Sequence, residues 1–128
     1  MSTPRVLSPG WYTYVIRDGV DIDKPGIYEW RVEGAGTYIG KYKRIRRPTK
    51  EYGRNVVRLL TGKPYRLGNP DGFRRVHREL ERAHREGRKI TLTILENVAP
   101  SDLARRENEL IAEWGSLNDP PFGRRNSN

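Results

Sequence analysis

The sequence predicts an α+β domain in which about three α-helices cover a small antiparallel β-sheet. Three observations lead there. The first forty residues hold aromatic and β-branched runs broken by a glycine-containing turn. Beyond residue 48, three stretches carry apolar side chains at helical spacing. One alternating run, Ile90-Thr91-Leu92-Thr93-Ile94, lies between the last two of them. Strands followed by helices, without a regular β-α alternation, indicate α+β rather than a parallel doubly wound sheet. A chain of 128 residues has room for one domain.

Residues 1–10, with two prolines, are expected to form a flexible arm, and 11–118 a single domain. Trp11 to Arg17 has the composition of a strand, and so has Gly26 to Val32. The turn Glu33-Gly34-Ala35-Gly36 leads into a third strand through Thr37-Tyr38-Ile39-Gly40, making a hairpin. After Pro48, Thr49 to Thr61 reads as a helix with Tyr52, Val56, Leu59 and Leu60 on one face and Gly62 as its stop. The loop Lys63 to Pro70 carries Tyr65 and Arg66. Asp71 is expected to cap a second helix whose inner face is Phe73, Val76, His77, Leu80, Ala83 and His84, ended by Gly87. Pro100-Ser101-Asp102 opens a third, with Leu103, Glu107, Leu110, Ile111 and Trp114 on one stripe. Residues 119–128, rich in Pro, Arg and Asn, are expected to be a mobile tail.

Composition excludes several classes of function. Without cysteine there is no disulfide framework, iron–sulfur cluster, cysteine nucleophile or thiolate zinc site. Two histidines cannot alone make a metal cluster. No apolar run reaches the roughly 18 residues of a membrane span, and no signal peptide is evident, so a cytoplasmic, membrane-free protein is expected. The net charge is +9, unevenly spread: −1 over residues 1–40, +12 over 41–89 and −2 over 90–128. A basic block of that density points to an anionic partner, with nucleic acid the first expectation. Its candidate contacts are Lys41, Lys43, Arg44, Arg46, Arg54, Arg58, Lys63, Arg66, Arg74, Arg75 and Arg78. The basic segment would hold the phosphate backbone without reading sequence, while Tyr65 and Arg66 in the loop Lys63 to Asn69 are candidate base or groove contacts.

Some residues break the pattern. Glu107 is a carboxylate in an otherwise apolar helical stripe, so it must pair, bind a metal or face a cleft. A lone carboxylate suffices for Mg²⁺, which keeps most of its waters. His77 and His84 share the inner face of the second helix, and His77, nearer its middle, is the better placed to reach a site.

Gly26-Ile27-Tyr28 and, ten residues on, Tyr38-Ile39-Gly40 together resemble the signature of the GIY-YIG nuclease family. The run Arg106-Glu107-Asn108-Glu109-Leu110-Ile111 resembles that family's third-helix motif, and the likeness spans about residues 24–118. The resemblance implies a stand-alone endonuclease, hydrolysing DNA to 3′-hydroxyl and 5′-phosphate ends, of restriction or structure-specific repair type. It implies one Mg²⁺ per site, with Mn²⁺ accepted, held by Glu107. Tyr28 would activate or orient the water and Tyr38 would hydrogen-bond beside it, with Lys41 supplying positive charge. The family places an arginine eight residues after the Y-I-G glycine and a Tyr or His four further on. Here those positions hold Pro48 and Tyr52, so the arginine is Arg47 or, with a loop insertion, Arg54 paired with Arg58. The family's asparagine corresponds to Asn118 or Asn126. A symmetric DNA site would favour a homodimer, whereas recognition of shape needs only a monomer. The rival reading is a catalytically inactive, basic nucleic-acid-binding module.

Overall fold

In the computed structural model residues 7–118 are described. The first six residues of the arm and the tail 119–128, with Asn126, lie outside the described residues. The elements are β1 (Thr13–Ile16), β2 (Gly26–Val32), β3 (Gly36–Tyr42), α1 (Tyr52–Leu60), α2 (Arg75–Glu86), β4 (Ile90–Asn97) and α3 (Leu103–Trp114). A wide turn over Arg47–Glu51 leads into α1, and a 3₁₀ turn over Pro100–Asp102 leads into α3.

The four strands form one sheet in the order β1-β4-β2-β3. β2 is antiparallel to both β3 and β4, but β1 runs parallel to β4, so the sheet is mixed rather than antiparallel. The reason is geometric. β1 and β2 run in opposite directions, and a strand inserted between them must be parallel to one. β1 is also shorter than Trp11–Arg17, and all four of its residues are exposed at the sheet edge.

Alternation along the hairpin separates two apolar layers. Tyr28, Trp30, Tyr38 and Tyr42 face α1 and α2, meeting Tyr52, Val56, Val76 and Leu80. Ile27 and Ile39 face the other side, where Leu103 and Leu110 of α3 cover them. A β-bulge in the β2–β4 register between Ile27 and Tyr28 leaves Leu95 as the extra residue, and it turns to the α3 layer.

Two helix readings change. α2 begins at Arg75, capped from Arg74, because Asp71 and Gly72 are held in a turn by the Gly72 N–H donating to Asn69. Phe73 thus precedes the helix and packs edge-on against Tyr65. Trp114 is 57% exposed rather than part of the inner stripe. After it the chain turns at Gly115, and Leu117 is buried in its place against the α1–α2 layer. This return closes the free edge of β3. The Leu117 N–H donates to Thr37 at 2.8 Å, and the Asn118 amide exchanges two 2.8 Å hydrogen bonds with the Ile39 backbone. No helix among the described residues is long and apolar enough to cross a membrane.

Candidate active site

A cleft of about 730 Å³ opens where β2, β3, the turn before α1, the start of α2 and α3 meet. Two glycines permit close approaches within the sheet beside it. A Cβ on Gly40 would lie 2.3 Å from Cζ and the hydroxyl of Tyr28, so the Tyr28 ring crosses β3 only because residue 40 has no side chain. A Cβ on Gly26 would lie 2.2 Å from the carbonyl oxygen of Glu96, which excludes any side chain where β2 meets β4. The glycines of both tripeptides are thus demanded by close approach.

Tyr28, Tyr38 and Tyr52 form a buried phenol cluster. The Tyr28 and Tyr52 hydroxyls are hydrogen-bonded to each other, and the Tyr38 and Tyr52 rings stand 6.1 Å apart. Arg74 Nη1 donates to the Tyr38 hydroxyl at 2.8 Å, with its guanidinium 5.8 Å from the centres of both the Tyr38 and Tyr52 rings. Burial raises all three phenols well above the ordinary tyrosine value, and their mutual repulsion adds to it. The hydrogen bond from Tyr52, then Arg47 and Arg74, pull Tyr28 back without reversing the shift. At neutral pH Tyr28 is therefore a protonated phenol, suited to orienting a water rather than to taking its proton unaided.

Glu107 lines the opposite wall from α3, its side chain 18% exposed, with Lys41 Nζ 3.2 Å away. The preceding residue fixes the helix: Arg106 bonds both carboxylate oxygens of Glu96 on β4, at 2.9 and 3.0 Å. Lys43, Arg44 and Arg46 line the cleft too, as does Arg47, whose Nη1 meets Glu51 at 3.1 Å. Asn118 lies at the rim with its amide engaged on Ile39, which makes it a holder of β3. Among the described residues no group of three or more His, Asp or Glu side chains converges as a multi-ligand metal site.

The other expected residues lie elsewhere. Arg54, Arg58 and Arg66 line a smaller cavity beside the cleft, and Arg54 and Arg58 also line, with Lys63, a groove against Leu7, Trp11 and Tyr12. Arg75 donates to the Ser116 carbonyl at 3.3 Å, while Arg78 stacks over Phe73 at 5.7 Å. His77 is buried outside the cleft: Nδ1 accepts from the Arg74 N–H at 3.0 Å, and Nε2 faces the Asn55 amide at 3.4 Å. Burial, then Arg74, Arg47 and Arg78, lower its pKa to about 3, so it is a neutral cap of α2. Between the two arginine alternatives, the cleft holds Arg47 and not Arg54. Arg74, read from the sequence only as a backbone contact, is the partner of Tyr38. No spacing rule could link them, because the link runs through the start of α2.

Comparison with models of known families, with curated proteins and with solved structures gives no match to this chain.

Proposed function

We propose that the chain is a divalent-metal-dependent endonuclease of GIY-YIG type that hydrolyses DNA phosphodiester bonds at this cleft. The observation that carries the reading is the meeting, in one basic cleft, of Tyr28, Tyr38 and Glu107 from three separate elements. A binding surface alone has no use for a carboxylate set among six cationic side chains that would hold phosphate.

The donor set suits a hard cation. One helix-borne carboxylate, with waters and phosphate oxygens completing the shell, is what Mg²⁺ accepts, and Mn²⁺ takes the same ligands. Glu107 would hold it, and the ion would supply charge stabilisation at the phosphate and a more acidic water. Lys41 and Arg47 bind non-bridging phosphate oxygens, the latter through a planar two-donor fork. Tyr28 orients the water in line with the leaving 3′-oxygen, and Arg74 fixes Tyr38 beside it. A water oxygen–phosphorus bond forms, the phosphorus–O3′ bond breaks, the water gives up a proton to solvent and the leaving O3′ takes one from solvent, yielding 5′-phosphate and 3′-hydroxyl ends. Asn118 acts through β3, as a positioning residue.

Nicking of supercoiled plasmid in Mg²⁺, abolished by EDTA, tests the reading. Tyr28→Phe removes only a hydroxyl, and cleavage is expected to fall on the order of 10²–10⁴-fold with the fold retained. Plasmid left intact by the parent protein in both Mg²⁺ and Mn²⁺ would leave a basic nucleic-acid-binding module. Restriction and repair roles separate by substrate: discrete plasmid fragments for the first, cleavage confined to flaps or forks for the second.

A further inference from the structure

Beside the cleft lies a smaller cavity of about 170 Å³ walled largely by arginine. Arg54 and Arg58 reach it from successive turns of α1, and Arg66 from the loop between α1 and α2. Arg47 and Arg74 line both this cavity and the cleft. Among the described residues Glu51 is the one carboxylate in the wall, and Arg47 holds it at 3.1 Å. Among the described residues Arg54, Arg58, Arg66 and Arg74 take part in no ion pair.

Folding alone does not call for this arrangement. Arg54 and Arg58 are like charges at i and i+4, a spacing that destabilises a helix. Yet the cavity is built from ordered parts. The loop carrying Arg66 is closed by the Tyr65 N–H donating to Pro70 at 3.0 Å and the Asn69 N–H donating to Arg66 at 3.1 Å. Gly72 lets it close, since a Cβ there would lie 2.4 Å from the Asn69 amide. Arg66 stacks on Tyr65 at 5.0 Å, and the buried His77 also lines the cavity. Metal cations are repelled by such a wall, and a nucleobase gains little from a lining so polar and so charged. A tetrahedral anion with several acceptor oxygens suits a wall of guanidinium forks.

We propose that this cavity is a phosphate-binding subsite, taking a second phosphate group of the nucleic acid while the scissile one occupies the cleft. The identity of the ligand rests on the nuclease reading; anion binding itself does not. Because Arg47 and Arg74 are shared, the two phosphates are neighbours, and filling the subsite fixes where along the strand the cut falls. The phosphate belongs either to the continuous backbone or to a strand's 5′ end.

The test begins without nucleic acid or metal. Thermal unfolding is followed in inorganic phosphate and in chloride at matched ionic strength. Saturating phosphate is expected to raise Tm on the order of 5 °C in the parent protein. The rise is expected to vanish in Arg58→Gln/Arg66→Gln and to persist in Arg82→Gln/Arg105→Gln, whose arginines lie in surface ion pairs elsewhere. No phosphate-specific rise in the parent, a rise retained when Arg58 and Arg66 are changed, or a rise lost in the Arg82/Arg105 protein would each overturn the subsite.

The second arm measures DNA binding in a Glu107→Gln background, with continuous duplex and with nicked duplex bearing a 5′-phosphate or a 5′-hydroxyl. A roughly tenfold loss for Arg58→Gln/Arg66→Gln on every duplex identifies a backbone phosphate, whereas a loss confined to the 5′-phosphorylated nick identifies a strand end. Unchanged binding to all three overturns the proposal. Since the phosphate arm reads no cleavage, a protein that binds phosphate but does not cut separates failure of the nuclease reading from failure of the subsite.

Discussion

His77 shows how surroundings decide what a residue does. On a helical wheel it is an inward histidine near a basic site, and a general base is one role such a residue can fill. The fold gives both its nitrogens structural partners and surrounds it with Arg74, Arg47 and Arg78, so it stays neutral down to about pH 3. The unfolded chain takes up the proton near the ordinary value of about 6.5. Stability from this group is therefore complete above about pH 6.5 and declines as pH falls towards 3. At pH 4.5 its share of the loss is about 2–3 kcal/mol. Urea unfolding at pH 7.5 and 4.5 checks this: His77→Gln is expected to lose less stability between the two pH values than the parent does. Equal losses in both proteins would mean that the ring does not titrate differently on folding. Tyr28, Tyr38 and Glu107 were legible from the sequence because tripeptide spacing and a carboxylate in an apolar stripe are local signals. The role of Arg74 was not, because its contact with Tyr38 spans 36 positions and depends on where α2 starts.

At the scale of elements, the β2–β3 hairpin does most to shape the cleft. Its register pairs Tyr28 with Gly40, so the bulky ring of one strand crosses the bare backbone of the other. Gly40→Ala forces the ring or the strand to move, and overpacking of this kind costs about 1–3 kcal/mol. Urea unfolding is expected to show that loss, with cleavage falling together with it as Tyr28 leaves its place. An equally stable, equally active Gly40→Ala protein would contradict the packing described. Aromatic and β-branched composition made β2 readable, the glycine turn made β3 readable, and alternation with threonines made β4 readable. It could not reveal that β1 joins β4, since strand order is set by chain reversal rather than by pattern. The start of α2 was misplaced because Asp71, a good cap by residue type, is used in a turn of the preceding loop. Trp114 was misjudged because the stripe repeats past the point where α3 leaves the sheet, and Leu117 takes the burial instead.

Over the whole molecule, nine of the seventeen basic side chains of residues 41–89 line the cleft and the cavity beside it. Duplex affinity in metal-free buffer should therefore fall steeply with salt, with a log–log slope of about −4.5 or steeper if five or more phosphates are neutralised. A slope near zero would mean that this face does not bind DNA. The central claim is that Glu107 is kept for a metal ion and not for stability. Its pairing with Lys41 is solvent-accessible, with side chains 18% and 48% exposed, and such pairs contribute at most about 1 kcal/mol. The most direct measurement compares Glu107→Gln with the parent in melting temperature, metal-free DNA affinity and plasmid nicking. The expected protein melts within a few degrees of the parent, binds DNA as tightly or more tightly, and cuts nothing at any Mg²⁺ or Mn²⁺ concentration. A Glu107→Gln protein that nicks plasmid at near the parent rate, or that unfolds far below the parent, would contradict the assignment.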